Sequence, residues 1–308
     1  MPGTWSGRLG ELLELPQAQQ VDAARALLEQ APAPMPEAWN SRFGPGSLFD
    51  AWTRTTIARQ AHRALAAVVL PTVRQPTFSV VEVGAGNGRL WASVLDDDDR
   101  GRLTVVDPVP EAIEQVRAVV PAGVEVVGIE GCVEDVDLPQ ADLIVCSMTL
   151  HHLAGRDAAE RARHGLTGPG KAEVLTSMRR SLLPGGRLVL LEADIHCEVD
   201  VPSGDPSLRD AIFDSYVRRC GRSIVEADLG AGGGDADLRA RWEALLRHWF
   251  LGQLAVADLP VAERDVYELE VSGWLQLLAT AGFEVTSHRF TDRWKLFHLY
   301  EAQRATTS

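Results

Sequence analysis

The spacing of hydrophobic positions changes along the chain. Residues 1–75 carry leucine, valine and alanine at intervals of three and four, which predicts helices. Between Phe78 and Glu192, short β-branched runs alternate with helical stretches. Continuous apolar strands between helices predict a parallel sheet that is covered on both faces. Right-handed crossovers would make this sheet doubly wound.

Seven strands are expected. Five are the runs FSVVEV, RLTVVD, VEVVGI, DLIVCS and RLVLLE, and the last two, FEVTSHRF and WKLFHLYEA, read as a closing antiparallel hairpin. Among the helices, one is predicted from about Leu48 to Val69, with a stop at Pro71, and another over KAEVLTSMRRSLL, closed by Pro-Gly-Gly. The predicted fold is therefore α/β: a doubly wound, mostly parallel seven-stranded sheet with a closing hairpin.

The domain organisation follows from the same pattern. Residues 1–75 form an N-terminal helical cap segment, while 76–194 and 269–308 form the α/β domain. Residues 195–268 interrupt that domain, look helical and are predicted to be a lid insertion over the site. GAGGG at 230–234 follows no apolar strand, so it indicates a hinge and not a ligand loop.

Charge and composition narrow the classes of partner. The formal net charge of −13, without a basic run, disfavours nucleic acid and anionic membranes as partners. The four cysteines contain no CxxC pair, which indicates a reducing compartment. No signal peptide or membrane-spanning run is apparent, so we expect a cytoplasmic protein. The sequence does not give the oligomeric state.

The stretch VVEVGAGNGRL places glycines at alternate positions, Gly84, Gly86 and Gly88, after the first predicted strand. The dinucleotide pattern is GxGxxG, whereas this one is GxGxG. Glu82 precedes the loop by two residues and would be a poor neighbour for a pyrophosphate. A carboxylate there suits an amine or a sulfonium.

A second carboxylate, Asp107, ends the second predicted strand 23 residues after Gly84. An acidic residue at this place typically binds the hydroxyls of a ribose. Because ligands of open α/β sheets bind at the carboxyl ends of the strands, both carboxylates should face one site. That site requires a ribose and a positive charge, and it requires no phosphate.

This combination resembles the class I S-adenosylmethionine-dependent methyltransferases. VEVGAGNGRL resembles the first motif of that family, VVDP the second, IEGCVEDVDLP the third and DLIVCSMTLHHL the fourth, while RSLLPGGRLVLLE resembles the segment around the fifth strand. The resemblance covers about Phe78–Glu192 and extends to the final hairpin. It implies S-adenosyl-L-methionine as cofactor, S-adenosyl-L-homocysteine as product and methyl transfer to an O or N atom of a small molecule.

The resemblance also implies which residues bind the cofactor. Cys132 stands where relatives often carry Asp or Ser near the adenine, so Glu134 or Asp135 could supply that hydrogen bond instead. The implied set is Glu82, Gly84, Ala85, Gly86, Gly88, Asp107, Pro108, Cys132, Val133, Glu134, Ser147 and Met148.

Candidate catalytic bases follow the fourth and fifth strands. His151 and His152 come just after the fourth strand, and Asp194 and His196 come just after the fifth, beyond Glu192. Any of the four could remove a proton from the acceptor. The alternative is that the histidines only orient their loop and that Asp194 and His196 lie on a solvated loop.

Other functions stay open at this stage. A protein methyltransferase, a non-methylating cofactor-binding protein and an NAD(P)-dependent oxidoreductase are the alternatives, the last disfavoured by GxGxG. Histidines and carboxylates could also hold a metal, but no spacing matches a known ligand set, so no metal is predicted.

Overall fold

The computed structural model describes residues 4–30, 53–155, 157–164, 169–193, 269–293 and 295–305, with isolated positions between 207 and 267. The helices are α1 (Trp5–Glu14), α2 (Gln17–Gln30), α3 (Thr56–Val73), α4 (Arg89–Val94), α5 (Pro110–Val119), α6 (Ala158–His164), α7 (Pro169–Ser181) and α8 (Val271–Thr280). The strands are β1 (Phe78–Val83), β2 (Gly101–Asp107), β3 (Val124–Glu130), β4 (Ala141–Ser147), β5 (Leu182–Ala193), β6 (Phe283–Phe290) and β7 (Phe297–Arg304).

These strands form a seven-stranded sheet in the order β3-β2-β1-β4-β5-β7-β6. β1 to β5 pair in parallel, whereas β7 is antiparallel to both β5 and β6. The predicted α/β sheet with its closing hairpin is confirmed. The chain moves outward from β1 to β3 and then returns to β4 on the other side of β1. The carboxyl ends of β1 and β4 therefore flank the switch point, where ligands of such sheets bind.

The core lies on both faces of the central strands. β1 and β4 are buried almost throughout, as their unbroken apolar runs predict for parallel strands covered by helices. Met178 of α7 and Trp274 of α8 belong to one apolar cluster with Ile144 of β4. This packing fixes the strands whose carboxyl ends carry the site.

The end of α3 differs from the prediction of a stop at Pro71. The helix continues to Val73, and Pro71 lies inside its last turn. Arg187 of β5 supports this turn, because its guanidinium donates to the carbonyl of Val68 at 3.3 Å and to the hydroxyl of Thr72 at 3.0 Å. The helix begins at Thr56, and the segment 48–52 of the predicted helix lies outside the described residues.

Two strand boundaries also differ. Leu182 and Leu183 were predicted as helical, but Leu182 pairs with Ala141 of β4, so β5 begins there and includes the Pro-Gly-Gly turn. β7 begins at Phe297, after Lys295 and Leu296, whereas Trp294 of the predicted strand lies outside the described residues. In both places strand pairing, which local sequence does not encode, fixes the boundary.

The chain divides into two compact units, one of Met1–Gln60, Ile195–Asp265 and Asp292–Leu296, and one of Ala61–Asp194, Val266–Thr291 and Phe297–Ser308. In the first unit, the hydroxyl of Thr4 accepts the N–H of Gly7 at 3.2 Å and caps α1. The second unit contains the sheet.

The predicted cap, domain and lid boundaries stay a prediction, since 195–268 falls almost wholly outside the described residues. No helix in the described ranges is long and apolar enough to cross a membrane.

Candidate functional site

The glycine loop begins directly after β1. Gly84, Gly86 and Gly88 have φ angles of 80°, 57° and 70°, in the left-handed region that glycine adopts without steric cost. Glycine therefore occupies each of the three alternate positions at which the backbone of this loop has a positive φ angle. The N–H of Gly84 donates to the carbonyl of Val106 at 2.9 Å, so the loop starts beside β2.

Gly84 also permits a close approach between two loops. A Cβ atom at this position would lie 1.9 Å from the hydroxyl oxygen of Thr149, in the loop after β4. That hydroxyl lies 3.0 Å from the carbonyl oxygen of Ser147 and 3.3 Å from that of Val83, both potential acceptors. The loop after β4 thus packs against the glycine loop with no room for a side chain.

Asp107 connects the ends of β1 and β2. Its Oδ2 accepts the N–H of Ala85 and its Oδ1 accepts the N–H of Val109, each at 2.8 Å. Burial raises the pKa of Asp107, and these hydrogen bonds oppose the rise. Each carboxylate oxygen has a second lone pair, so Asp107 can hold the glycine loop and still accept ribose hydroxyls.

Glu82 lies on β1 and is only 4% exposed. Trp91 of α4 donates its indole N–H to Oε2 of Glu82 at 2.5 Å. Burial raises the pKa of Glu82 to about 8; the Trp91 hydrogen bond opposes this rise and the charge of Asp107 adds to it. At neutral pH the carboxyl group is therefore mostly protonated, and a bound cation would favour its ionised form.

The loop after β3 lies next to the loop after β2. The N–H of Gly131 donates to the backbone carbonyl of Asp107 at 3.2 Å. Cys132 and Glu134 are exposed here, and Val133 is buried between them. Partial burial and nearby carboxylates raise the pKa of the Cys132 thiol, which keeps it protonated and able to donate. Pro108 is exposed directly after Asp107.

The loop after β4 turns sharply at Met148. Ser147 ends the strand, and Met148 has a φ of 53°, unusual for a residue with a side chain. The N–H of Met148 donates to the carbonyl of Leu191 on β5 at 2.7 Å. A short 3-10 helix, Leu150–His152, follows.

Glu192, at the end of β5, determines how this loop is held. It is fully buried, and its Oε1 accepts the backbone N–H groups of Thr149 at 3.2 Å and Leu150 at 2.8 Å. Its Oε2 lies 2.7 Å from Nδ1 of His151. An ionised carboxylate only accepts hydrogen bonds, so Nδ1 carries the proton in this contact.

The two histidines differ in exposure. His151 is buried against Glu192, whereas His152 is exposed, and their ring centroids are 4.2 Å apart. The backbone N–H of Tyr267 donates to the carbonyl of His151 at 2.6 Å and holds the turn from the other side. Asp194 and His196, the other predicted bases, lie outside the described residues.

The structure brings together the predicted residues from the first four strand ends. Neighbouring strands carry Glu82 with the glycine loop, Asp107 with Pro108, the Cys132 loop, and Ser147 with Met148. Sequence reasoning did not assign roles to Glu192, Thr149 and Trp91. A carboxylate that ends the apolar run RLVLLE was a signal for Glu192, since β5 was expected in the sheet; no spacing pointed to Trp91.

No group of three or more potential metal ligands occurs among the residues that the structure describes. Asp194 and His196 are outside that set.

Comparisons with known proteins give a family for the central segment. Residues 81–188, roughly a third of the chain, match the family described as "Methyltransferase domain". The matched segment contains the glycine loop, Asp107, the Cys132 loop and the histidines. No curated protein matches the chain.

Several solved structures resemble the chain at low identity. An O-methyltransferase family 2 protein from Planctomyces limnophilus in complex with apigenin is 17% identical, with a TM-score of 0.47 over 81% of this chain and 60% of that one. Magnesium protoporphyrin IX methyltransferase from Synechocystis, with bound S-adenosylhomocysteine, is 14% identical, with a TM-score of 0.45 over 81% of this chain and 84% of that one. The N-methyltransferase NodS from Bradyrhizobium japonicum is 14% identical, with a TM-score of 0.42 over 81% of this chain and 97% of that one.

The fold and the residues described above define an α/β protein with a candidate ligand site at the carboxyl ends of its parallel strands. Residues 81–188 thus match a methyltransferase domain, and the sequence motifs within them resemble those of the class I S-adenosylmethionine-dependent methyltransferases. The residues present fit that cofactor: the buried Glu82 suits its positive charge and Asp107 suits its ribose.

Gly84→Ala tests the close approach at the glycine loop, and Gly185→Ala is its matched control. Both glycines have a φ of 80°, so both variants carry the same backbone cost of about 1–2 kcal/mol. Only at Gly84 would the new methyl group collide with Thr149; at Gly185 nothing lies within 4 Å. Calorimetric titration with S-adenosylhomocysteine should show a loss of affinity on the order of tenfold or more for Gly84→Ala only. Equal losses in the two variants would contradict this prediction.

Cofactor binding at pH 7 should release roughly one proton from Glu82, because a bound cation favours the ionised form of a carboxyl group whose pKa is about 8. Affinity should therefore rise from about pH 6 to about pH 8, as the protonated fraction of Glu82 falls. The measurement is the binding enthalpy of S-adenosylmethionine in two buffers with different heats of ionisation. Glu82→Gln removes the titrating group, so a buffer dependence that survives in this variant would exclude Glu82 as the source.

Proposed function

We propose that the chain transfers the methyl group of S-adenosylmethionine to an oxygen or nitrogen atom of a small molecule. The observation that carries this proposal is the meeting of two buried carboxyl groups, Glu82 and Asp107, at one glycine loop inside the matched methyltransferase domain. When bound, the cofactor supplies a methyl group that is activated by a positively charged sulfur. The chain then has to orient the acceptor and receive its proton.

His151 is the group that supports proton removal best. Because Nδ1 donates to Glu192 at 2.7 Å, a neutral His151 has its lone pair on Nε2. With the cofactor bound, Nε2 of His151 would take up the proton that the acceptor atom loses as it receives the methyl group. His152, exposed beside it, is the second candidate, and Asp194 and His196 remain predictions.

The choice of a small molecule rests on charge. The net charge of −13 disfavours nucleic acid and anionic membranes. Protein substrates remain an alternative acceptor class, and the cytoplasmic location stays a prediction. A role as a non-methylating cofactor-binding protein would require the same Glu82 and Asp107 but no proton acceptor.

Binding experiments test the cofactor first. Calorimetric titrations with S-adenosylmethionine, S-adenosylhomocysteine, NADH and NADPH should show binding of the two adenosyl ligands only. Glu82→Gln and Asp107→Asn should each weaken binding roughly tenfold to a hundredfold, since each removes a charged hydrogen-bonding partner worth about 1.5–3 kcal/mol. Glu125→Gln is the matched control, because Glu125 is exposed on β3 and pairs with Arg102 at the surface. Binding of a nicotinamide ligand alone would overturn the proposal.

Turnover distinguishes the two histidines. With a panel of hydroxyl and amine acceptors, formation of S-adenosylhomocysteine should fall about 10²–10⁴-fold in His151→Gln. His152→Gln should retain most of the turnover, because the ring that Glu192 orients is that of His151. Affinity for S-adenosylhomocysteine, measured in parallel, should change little in either variant. A large loss in His152→Gln alone would transfer the role of base to His152.

A further inference from the structure

Lys171 is fully buried on α7, and the proposed reaction assigns it no role. Its ammonium group donates to the carbonyl of Leu153, at the end of the loop that follows β4. It also lies 5.8 Å from the ring centroid of Tyr267, within the range of a cation–π contact. Burial lowers the pKa of Lys171 to about 8, and the charge of Glu192 opposes this lowering. At pH 7 the side chain is therefore a buried cation.

The buried carboxylate of Glu192 requires a positive charge nearby. Its two backbone donors, the N–H groups of Thr149 and Leu150, are neutral. A buried carboxylate whose donors are all neutral is costly unless a cation compensates its charge. Among the described residues, two side chains can supply that cation: His151, in direct contact with Glu192, or Lys171, which binds the end of the same loop at Leu153 and whose charge acts on Glu192.

One cation suffices, and a second would leave an excess positive charge inside the protein. Lysine holds its proton more strongly than histidine, with ordinary pKa values of about 10.4 and 6.5. A lysine that keeps its proton up to about pH 8 despite burial removes the need to protonate His151. Within the part of the chain that the structure describes, the neighbouring titratable groups include Cys146 of β4, whose thiol pKa burial raises, Tyr267 beside Lys171, and His152 against His151.

We infer that Lys171 is a positioning residue that supplies the positive charge opposite Glu192 and thereby keeps His151 neutral, with Nε2 as a proton acceptor. The use of that acceptor in methyl transfer rests on the proposed function, but the charge state of His151 does not. In the same arrangement Lys171 holds the carbonyl of Leu153 while Tyr267 holds that of His151.

Nitrogen NMR of the folded protein tests this inference. The chain, labelled with ¹⁵N in its eight histidines, is measured at pH 7, and the signals of His151 are assigned from their absence in His151→Gln. A neutral ring shows one protonated nitrogen, and a cationic ring shows two. In the unmodified chain we expect the ring of His151 to be neutral and protonated on Nδ1. In Lys171→Met we expect the ring to be cationic, because His151 then becomes the partner that compensates the charge of Glu192.

Two further variants make the result specific. Lys171→Met together with Glu192→Gln removes both charges and should return His151 to the neutral form. Lys295→Met removes the exposed lysine between β6 and β7 and should leave the His151 signals unchanged. A His151 that stays neutral in Lys171→Met would overturn the inference.

A cationic His151 in the unmodified chain would also overturn it, and that measurement stands even if Lys171→Met does not fold. Titration of the same samples with S-adenosylhomocysteine separates this inference from the proposed function. Absence of binding would remove the methyltransferase proposal while the charge states of His151 could still bear out the role of Lys171.

Discussion

A carboxylate buried at the end of β5 governs the shape of the site. Glu192 is fully buried, and three donors from the loop after β4 converge on it. Moving any of them away would leave a buried charge short of a partner, at a cost of about 1–3 kcal/mol or more. The loop is therefore fixed from Thr149 to His151. Because Thr149 in turn packs against Gly84, the same interaction sets the position of the glycine loop.

The carboxyl groups around the site are held in different ways. Glu82 accepts a hydrogen bond from Trp91, but burial has the larger effect on its pKa, so the group favours its protonated form near neutrality. Asp107 receives backbone hydrogen bonds from two loops, which oppose the effect of burial. The difference lies in the donors: Asp107 receives backbone N–H groups from the loops after β1 and β2, whereas Glu82 receives the indole N–H of Trp91 from α4.

The sequence predicted the sheet well because its strands are continuous apolar runs, and β1 begins and ends where the pattern indicates. Prediction from the sequence failed where contacts between residues far apart in the chain determine where a helix or strand begins or ends. The last turn of α3 depends on Arg187, and the start of β5 depends on pairing with Ala141. The same distinction applies to the site. The glycine loop is a local pattern, whereas Glu192 meets its partners across about forty residues of chain, so no spacing reveals their contact.

Lysine is scarce in this chain, and its distribution has a practical consequence. Of the two lysines, Lys171 is fully buried and Lys295 is exposed at the turn between β6 and β7. An amine-reactive dye or crosslinker added to the folded protein should therefore modify a single lysine side chain. Apart from reaction at an α-amino group, reagents that normally give heterogeneous products would attach one probe at a defined lysine, and reaction at Lys171 would report opening of the protein interior.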